Sequence, residues 1–152
     1  MTRFSQLLQS AVNPALISVH PVFAAEIAEG RKRVEFRRRW SNTTTDVLVI
    51  YATAPTKAIV AIVAVKEVRR VSTSQLWELS KSLGGSLSRE RLRVYMQGLD
   101  RGVALLLGKS FIPRSVIAPK AIFGDSFVAP QSFRYLRPDE VKALVACLAS
   151  EE

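Results

Sequence analysis

Cysteine and histidine are almost missing from this chain: Cys147 and His20 are the only ones in 152 residues. A lone cysteine excludes a disulfide framework and a thiolate metal cluster. A lone histidine excludes a multi-histidine metal centre and paired-histidine acid–base chemistry. Cys147 sits in an apolar helical pattern and reads as a buried, inert thiol. Long apolar runs are missing too. The longest, Ala58 to Val65, is far too short to cross a bilayer, and no unbroken apolar segment precedes Asn13. Neither a membrane span nor a signal peptide is expected, and the chain reads as cytoplasmic. There is no GxGxxG and no P-loop, which disfavours the dinucleotide and nucleoside-triphosphate folds. No metal and no cofactor is expected.

Acidic residues are scarce relative to basic ones. Thirteen Asp and Glu stand against 22 Lys and Arg, for a net charge of +9. The imbalance is uneven: Asp139, Glu140, Glu151 and Glu152 gather at the C-terminus, so the remainder is more basic than the total implies. Excess positive charge favours an anionic partner, nucleic acid above all, through steering and counterion release. Apolar residues make up 48% of the chain, enough for one folded domain with a core of its own.

The basic charge is densest in GRKRVEFRRRW, Gly30 to Trp40, whose single acid is Glu35. Read as a strand, it sorts by parity, because successive side chains leave opposite faces. Val34, Phe36 and Trp40 then face a core, and Arg33, Glu35, Arg37 and Arg39 face a partner. Lys32 shares the inward parity; it reaches a cleft only if it lies at the strand's first residue, where the chain leaves the preceding helix.

Helical spacing of Phe4, Leu7, Leu8, Ala11 and Val12 predicts an opening helix that ends near Asn13-Pro14. A strand over Ala15 to Val19 and a helix starting at Pro21 and stopped by Gly30 follow. Val47 to Tyr51 reads as a buried strand and Lys57 to Val71 as a long one. Ser72-x-x-Gln75 fits a capping box for a helix with Leu76, Leu79 and Leu83 inward. Ser88 caps another, with Leu87 and Leu92 as a hydrophobic staple. Val103 to Leu107 returns to strand, Ser110 to Val128 reads as strands and loops, and Pro138 to Ala149 as a helix with Val141, Leu144, Val145 and Leu148 inward. Short strands with helices between them, and no regular βαβ alternation, predict a small mixed or closed sheet decorated by helices.

The order of these parts resembles the ASCH domain family of the PUA-like superfamily. The resemblance rests on Ser18 to Pro21, K-x-x-E-F-R from Lys32 to Arg37, VLVIYATAP from Val47 to Pro55, and IVAIVAVKEV from Ile59 to Val68. LWEL from Leu76, YMQGLDRGVAL from Tyr95 and PQSFRYL from Pro130 extend it. It implies an α+β fold, a small PUA-like β-barrel with flanking helices. The expected layout is an N-terminal helical extension over 1–14, the domain over 15–136 and a helix over 137–152 packed on it. It also implies a cleft between barrel and helices that meets RNA, single-stranded or modified, or a nucleotide.

Within the resemblance, Lys32, Glu35 and Arg37 fall at the cleft, and Tyr51, Thr53 and Lys57 on a strand and loop of the same side. Arg33 and Arg39 flank it as a phosphate-facing rim. Arginine grips phosphates bidentately, lysine as a compact charge, and Tyr51 is a candidate base-stacking residue. Glu35 suits orienting a cation or accepting a base amino group.

Three activities fit: an RNA- or nucleotide-binding regulatory module; a ribonuclease or modified-nucleoside hydrolase using Lys32, Glu35 and Tyr51; and a nucleotide-sensing transcriptional regulator. The family's acetylcytidine hydrolase branch uses a Lys, a Thr and a Glu. Here Glu35 stands at the Thr position and Gly84-Gly85 where that Glu would lie, so that activity is not expected.

Overall fold

The computed structural model describes residues 3–150. The ends of the expected N- and C-terminal segments, residues 1–2 and 151–152, lie outside them. Elements run α1 (Arg3–Ser10), β1 (Pro14–Val19), α2 (Pro21–Ala28), β2 (Val34–Arg37), β3 (Val47–Ala52), β4 (Ala58–Ser72), α3 (Thr73–Leu83), α4 (Arg89–Tyr95), β5 (Arg101–Phe111), α5 (Lys120–Phe123), β6 (Phe133–Tyr135) and α6 (Pro138–Ala149). The strands form one sheet in the order β2-β5-β4-β3-β1-β6. β1 and β3 pair in parallel, and the other neighbours are antiparallel. The sheet curls into a half-barrel, giving the expected α+β architecture.

Local sequence explains most of the boundaries. Ser72 and Gln75 form a reciprocal capping box at the start of α3. Gly84 ends α3 in the left-handed region at φ 66°, where a Cβ would also overlap the Arg31 carbonyl, so only glycine fits. Ser88 caps α4 by accepting from Arg91 N–H. The turn after Phe111 departs from expectation: a short helix, α5, forms within the stretch read as strands and loops, and only Ile117 bridges to Ile59.

β4 supplies the curl. Its apolar first half pairs with β3, from Ile62 onward it pairs with β5 on its other edge, and register shifts near Val65 mark bulges that bend the strand. Alternate side chains then build two cores. Ile17, Leu48, Ile50 and Leu105 point into the barrel beneath α2. Leu16, Val47, Val49 and Ile62 point outward, where Leu8 of α1, Ile122 of α5, and Leu144 and Leu148 of α6 cover them. A third cluster joins Val34, Phe36 and Ala104 to Leu76 of α3 and to Leu92 and Met96 by α4. Cys147 is half-buried against the second cluster. Among the described residues no helix is long and apolar enough to cross a membrane.

The two edge strands, β2 and β6, are not paired with each other; side chains close the seam between them. Trp40 stacks on Phe133 with ring centroids 3.8 Å apart. Its indole N–H donates to Thr45 Oγ1 (3.0 Å), which lies 3.0 Å from the Tyr135 hydroxyl. This corrects the parity reading. Strand geometry ends at Arg37, so Trp40 joins the barrel interior, whereas Val34 and Phe36 belong to the third cluster.

Candidate nucleic-acid interface

At the upper end of that seam, β1, α2, β2 and α4 enclose a cleft of about 280 Å³. β2 places Glu35 and Arg37 on one face by strand alternation, opposite Val34 and Phe36. Lys32 sits in the turn between α2 and β2 and lines the same cleft, as expected only for a residue at the strand's entry.

Lys32 is almost fully buried. Its Nζ donates to the Gly85 carbonyl at 2.6 Å and stands 3.5 Å from Glu35 Oε1, between the rings of Phe23 and Phe36. Burial lowers its pKa from the ordinary lysine value, against the opposing pull of Glu35. Gly85 holds this contact because it is glycine: a Cβ there would overlap Ser80 Oγ and come within 2.7 Å of the Phe36 ring. The Ser86 hydroxyl donates to Glu26, latching the same loop to α2. The Gly84-Gly85 loop thus occupies the lysine.

Arg37 carries the seam and the cleft together. Its Nη2 donates to Glu35 Oε2 at 2.9 Å and to the Ser18 carbonyl at 2.8 Å, and Nη1 reaches Ser132 Oγ at 3.4 Å. Its side chain is only 12% exposed, and its Nε is buried without a hydrogen-bond partner. Glu35 therefore bridges two cations, Lys32 and Arg37.

The remaining expected residues scatter. Tyr51 is buried in the second core cluster, edge-on to Phe127, and does not line the cleft. Its strand position is nevertheless opposite Ser18, whose N–H donates to the Ser132 carbonyl, so Tyr51, Ser18 and Ser132 form one row across the sheet. Thr53 N–H donates to the Val19 carbonyl, and Lys57 is exposed in the following turn with φ 50°. Arg33 is exposed with its backbone held by Leu83 and Leu107, outside the cleft. Arg39 is exposed beyond the end of β2.

Sequence reading missed Tyr95, Arg91, Ser18 and Ser132. Tyr95, at the end of α4, is 38% exposed on the cleft wall with its hydroxyl 3.4 Å from the Phe36 carbonyl. Partial burial raises its pKa, with Arg37 opposing. An aromatic closing the arginine-rich helix RERLRVY was the available signal. His20 also lines the cleft, but its Nδ1 accepts from Val22 N–H and so caps α2. Ser18 and Ser132 are visible only once β1 and β6 are paired.

The ASCH domain matches residues 17–101. An ASCH domain-containing ribonuclease from Zymomonas mobilis is 31% identical over 141 residues, covering 91% of this chain and 94% of that protein. The crystal structure of an ASCH protein from Zymomonas mobilis superposes with a TM-score of 0.79 at 32% identity, covering 88% of this chain and 94% of that one. A tyrosine-to-phenylalanine mutant of that ASCH protein superposes with a TM-score of 0.76 at 30% identity, over 88% and 96% of the two chains. With the family's domain spanning more than half of its length and a relative matched nearly end to end, the chain belongs to the ASCH domain family.

Proposed function

We propose that the cleft binds a nucleotide unit of single-stranded or modified RNA, and that Arg37 is the group that grips it. The observation that carries this reading is the Lys32–Glu35–Arg37 cluster: two cations around one carboxylate, sheltered from water at the wall of an open cleft. Shelter strengthens charge–charge attraction relative to bulk water. The hydrogen bonds from Arg37 to Glu35 and Ser18 fix its plane before any ligand arrives, which lowers the ordering cost of binding. Tyr95 offers an aromatic face for a base, the usual grip on unpaired RNA.

The test is to sequence RNA that co-purifies with the wild-type protein and with Arg37→Ala. Enrichment lost in the variant, with an unchanged circular-dichroism spectrum, is expected. Equal enrichment in both would overturn the reading.

Cleavage of the bound RNA is a second reading, favoured by the relative named an ASCH domain-containing ribonuclease. Cleavage through the RNA's own 2′-hydroxyl needs a group to take its proton, a group to protonate the leaving 5′-oxygen, and positive charge near the phosphate. In this reading Arg37 supplies the charge, and Lys32 and Glu35 hold Arg37 in place. The candidates for proton transfer are the Tyr51 hydroxyl, in the sheet row with the Ser18 and Ser132 that Arg37 contacts, and the Lys57 ammonium; the scissile phosphate then lies over that row, outside the cleft. Tyr51→Phe is then expected to bind RNA as wild type does while turnover falls by a factor of at least ~100, the scale of one general acid or base. Wild-type turnover in both Tyr51→Phe and Lys57→Ala would remove these assignments.

A further inference from the structure

The cleft does not end at Arg37. It opens into a hollow of about 340 Å³ whose walls include Arg37, Arg38, Arg39 and Tyr95, and that hollow meets a third of about 370 Å³ lined by Arg38, Arg39, Arg70 and Arg101. Cleft and second hollow share Arg37 and Tyr95; second and third share Arg38 and Arg39. The three form one trough along the exit of β2.

Beyond Arg37, which faces Glu35, its arginines differ from five others on the surface. Arg31, Arg69, Arg93, Arg134 and Arg137 each face a carboxylate, respectively Glu29, Glu67, Glu90, Glu140 and Asp139. In the trough Arg38 donates to the Tyr95 and Gln97 carbonyls, Arg70 to those of Trp40 and Ser41, and Arg101 to that of Arg70. Arg39 has no hydrogen bond or ion pair among the described residues, and Asp100 makes no ion pair with neighbouring Arg101. Backbone carbonyls orient a guanidinium without cancelling its charge, and each group keeps free N–H donors for a phosphate. Tyr95 stands where the trough meets the cleft; farther along, the aromatic lining the third hollow, Trp40, is buried against Phe133 and offers no stacking face.

We infer that the trough carries the RNA strand beyond the cleft by its phosphates, through Arg38, Arg39, Arg70 and Arg101, without reading its bases. This rests on the cleft being an RNA site. Longer strands therefore bind more tightly than a dinucleotide, with little regard to sequence.

Titrations of a dinucleotide and of octanucleotides of differing sequence over a range of salt test it. For wild type the octamers are expected to bind more tightly and to show a steeper fall of log K with log salt. In Arg39→Gln/Arg101→Gln that slope shrinks by about 1.4, at roughly 0.7 for each single-strand phosphate no longer neutralised, while the dinucleotide is unaffected. Arg39→Lys/Arg101→Lys keeps most of the slope. An unchanged octamer slope in the glutamine pair overturns the trough and leaves the cleft reading standing. A dinucleotide that fails to bind wild type overturns the cleft reading instead. An acidic peptide of equal charge that competes as well as the octamer contradicts a nucleic-acid track.

Discussion

Arg37 is the residue on which barrel closure and ligand binding meet. It spans from β2 to Ser18 of β1 and Ser132 beside β6, so it ties together edges that no main-chain ladder joins. Its replacement by alanine leaves Glu35 paired with Lys32 alone. A stability loss of about 1–3 kcal/mol in denaturant unfolding is expected, the scale of a partly buried charged hydrogen bond. The Gly85 position is a sharper test of the site's frame. Gly85→Ala forces the loop off Ser80 and Phe36 and pulls its carbonyl from Lys32. It is expected to lower stability by about 1–3 kcal/mol, as overpacking does, and to weaken RNA binding although it touches no ligand. Full stability and affinity in Gly85→Ala would mean that the lysine anchor does not organise the cleft.

At the scale of elements, the C-terminal helix is fastened by Glu140. Its carboxylate takes bidentate hydrogen bonds from Arg134 (3.0 and 2.6 Å) and accepts from Arg137 N–H at the start of α6. Burial pushes its pKa up, but the Arg134 and Arg137 bonds outweigh this and hold it below the ordinary carboxylate value. The folded protein therefore binds this proton less readily than the unfolded chain. The stabilisation is complete above the unfolded pKa and lost as pH falls through the folded one. Glu140→Gln is expected to cost about 2 kcal/mol at neutral pH and to unfold with a shallower acid dependence than wild type. Thermal melts between neutral and acidic pH check both; parallel acid profiles would contradict the assignment.

Elements also show where sequence was sufficient. Helix starts were readable because caps are local chemistry: Ser72 with Gln75, and Ser88, act within one turn. Parity placed Glu35 and Arg37 on one face because both lie inside a regular strand. It failed at Trp40, three residues past the end of β2, where strand geometry no longer applies. Tyr51 looked like a cleft aromatic, yet its strand is buried on both faces, and which face meets the cleft depends on pairing with β1. Tyr95 and Ser132 come to the site from elements distant in sequence, so no local pattern marks them.

For the whole molecule, the half-barrel leaves a seam that only side chains close, and Arg37, Arg38 and Arg39 gather beside it. Trp40 against Phe133 is the apolar part of the closure. Trp40→Ala is expected to cost about 3–5 kcal/mol by the cavity it leaves, and to loosen cleft and trough together. Hydrogen exchange would then rise in β2 and β6 while β3 and β4 stay protected. An increase spread evenly over the sheet would argue against a local closure.

The central claim is that RNA enters beside Arg37. Nuclear magnetic resonance titration of the labelled protein with a ribodinucleotide tests it most directly. Shifts centred on Ser18, Arg37, Arg91, Tyr95 and Ser132, absent in Arg37→Ala, are the predicted result. Shifts confined to the opposite face, where α1 and α6 pack, or undiminished in Arg37→Ala, would contradict it.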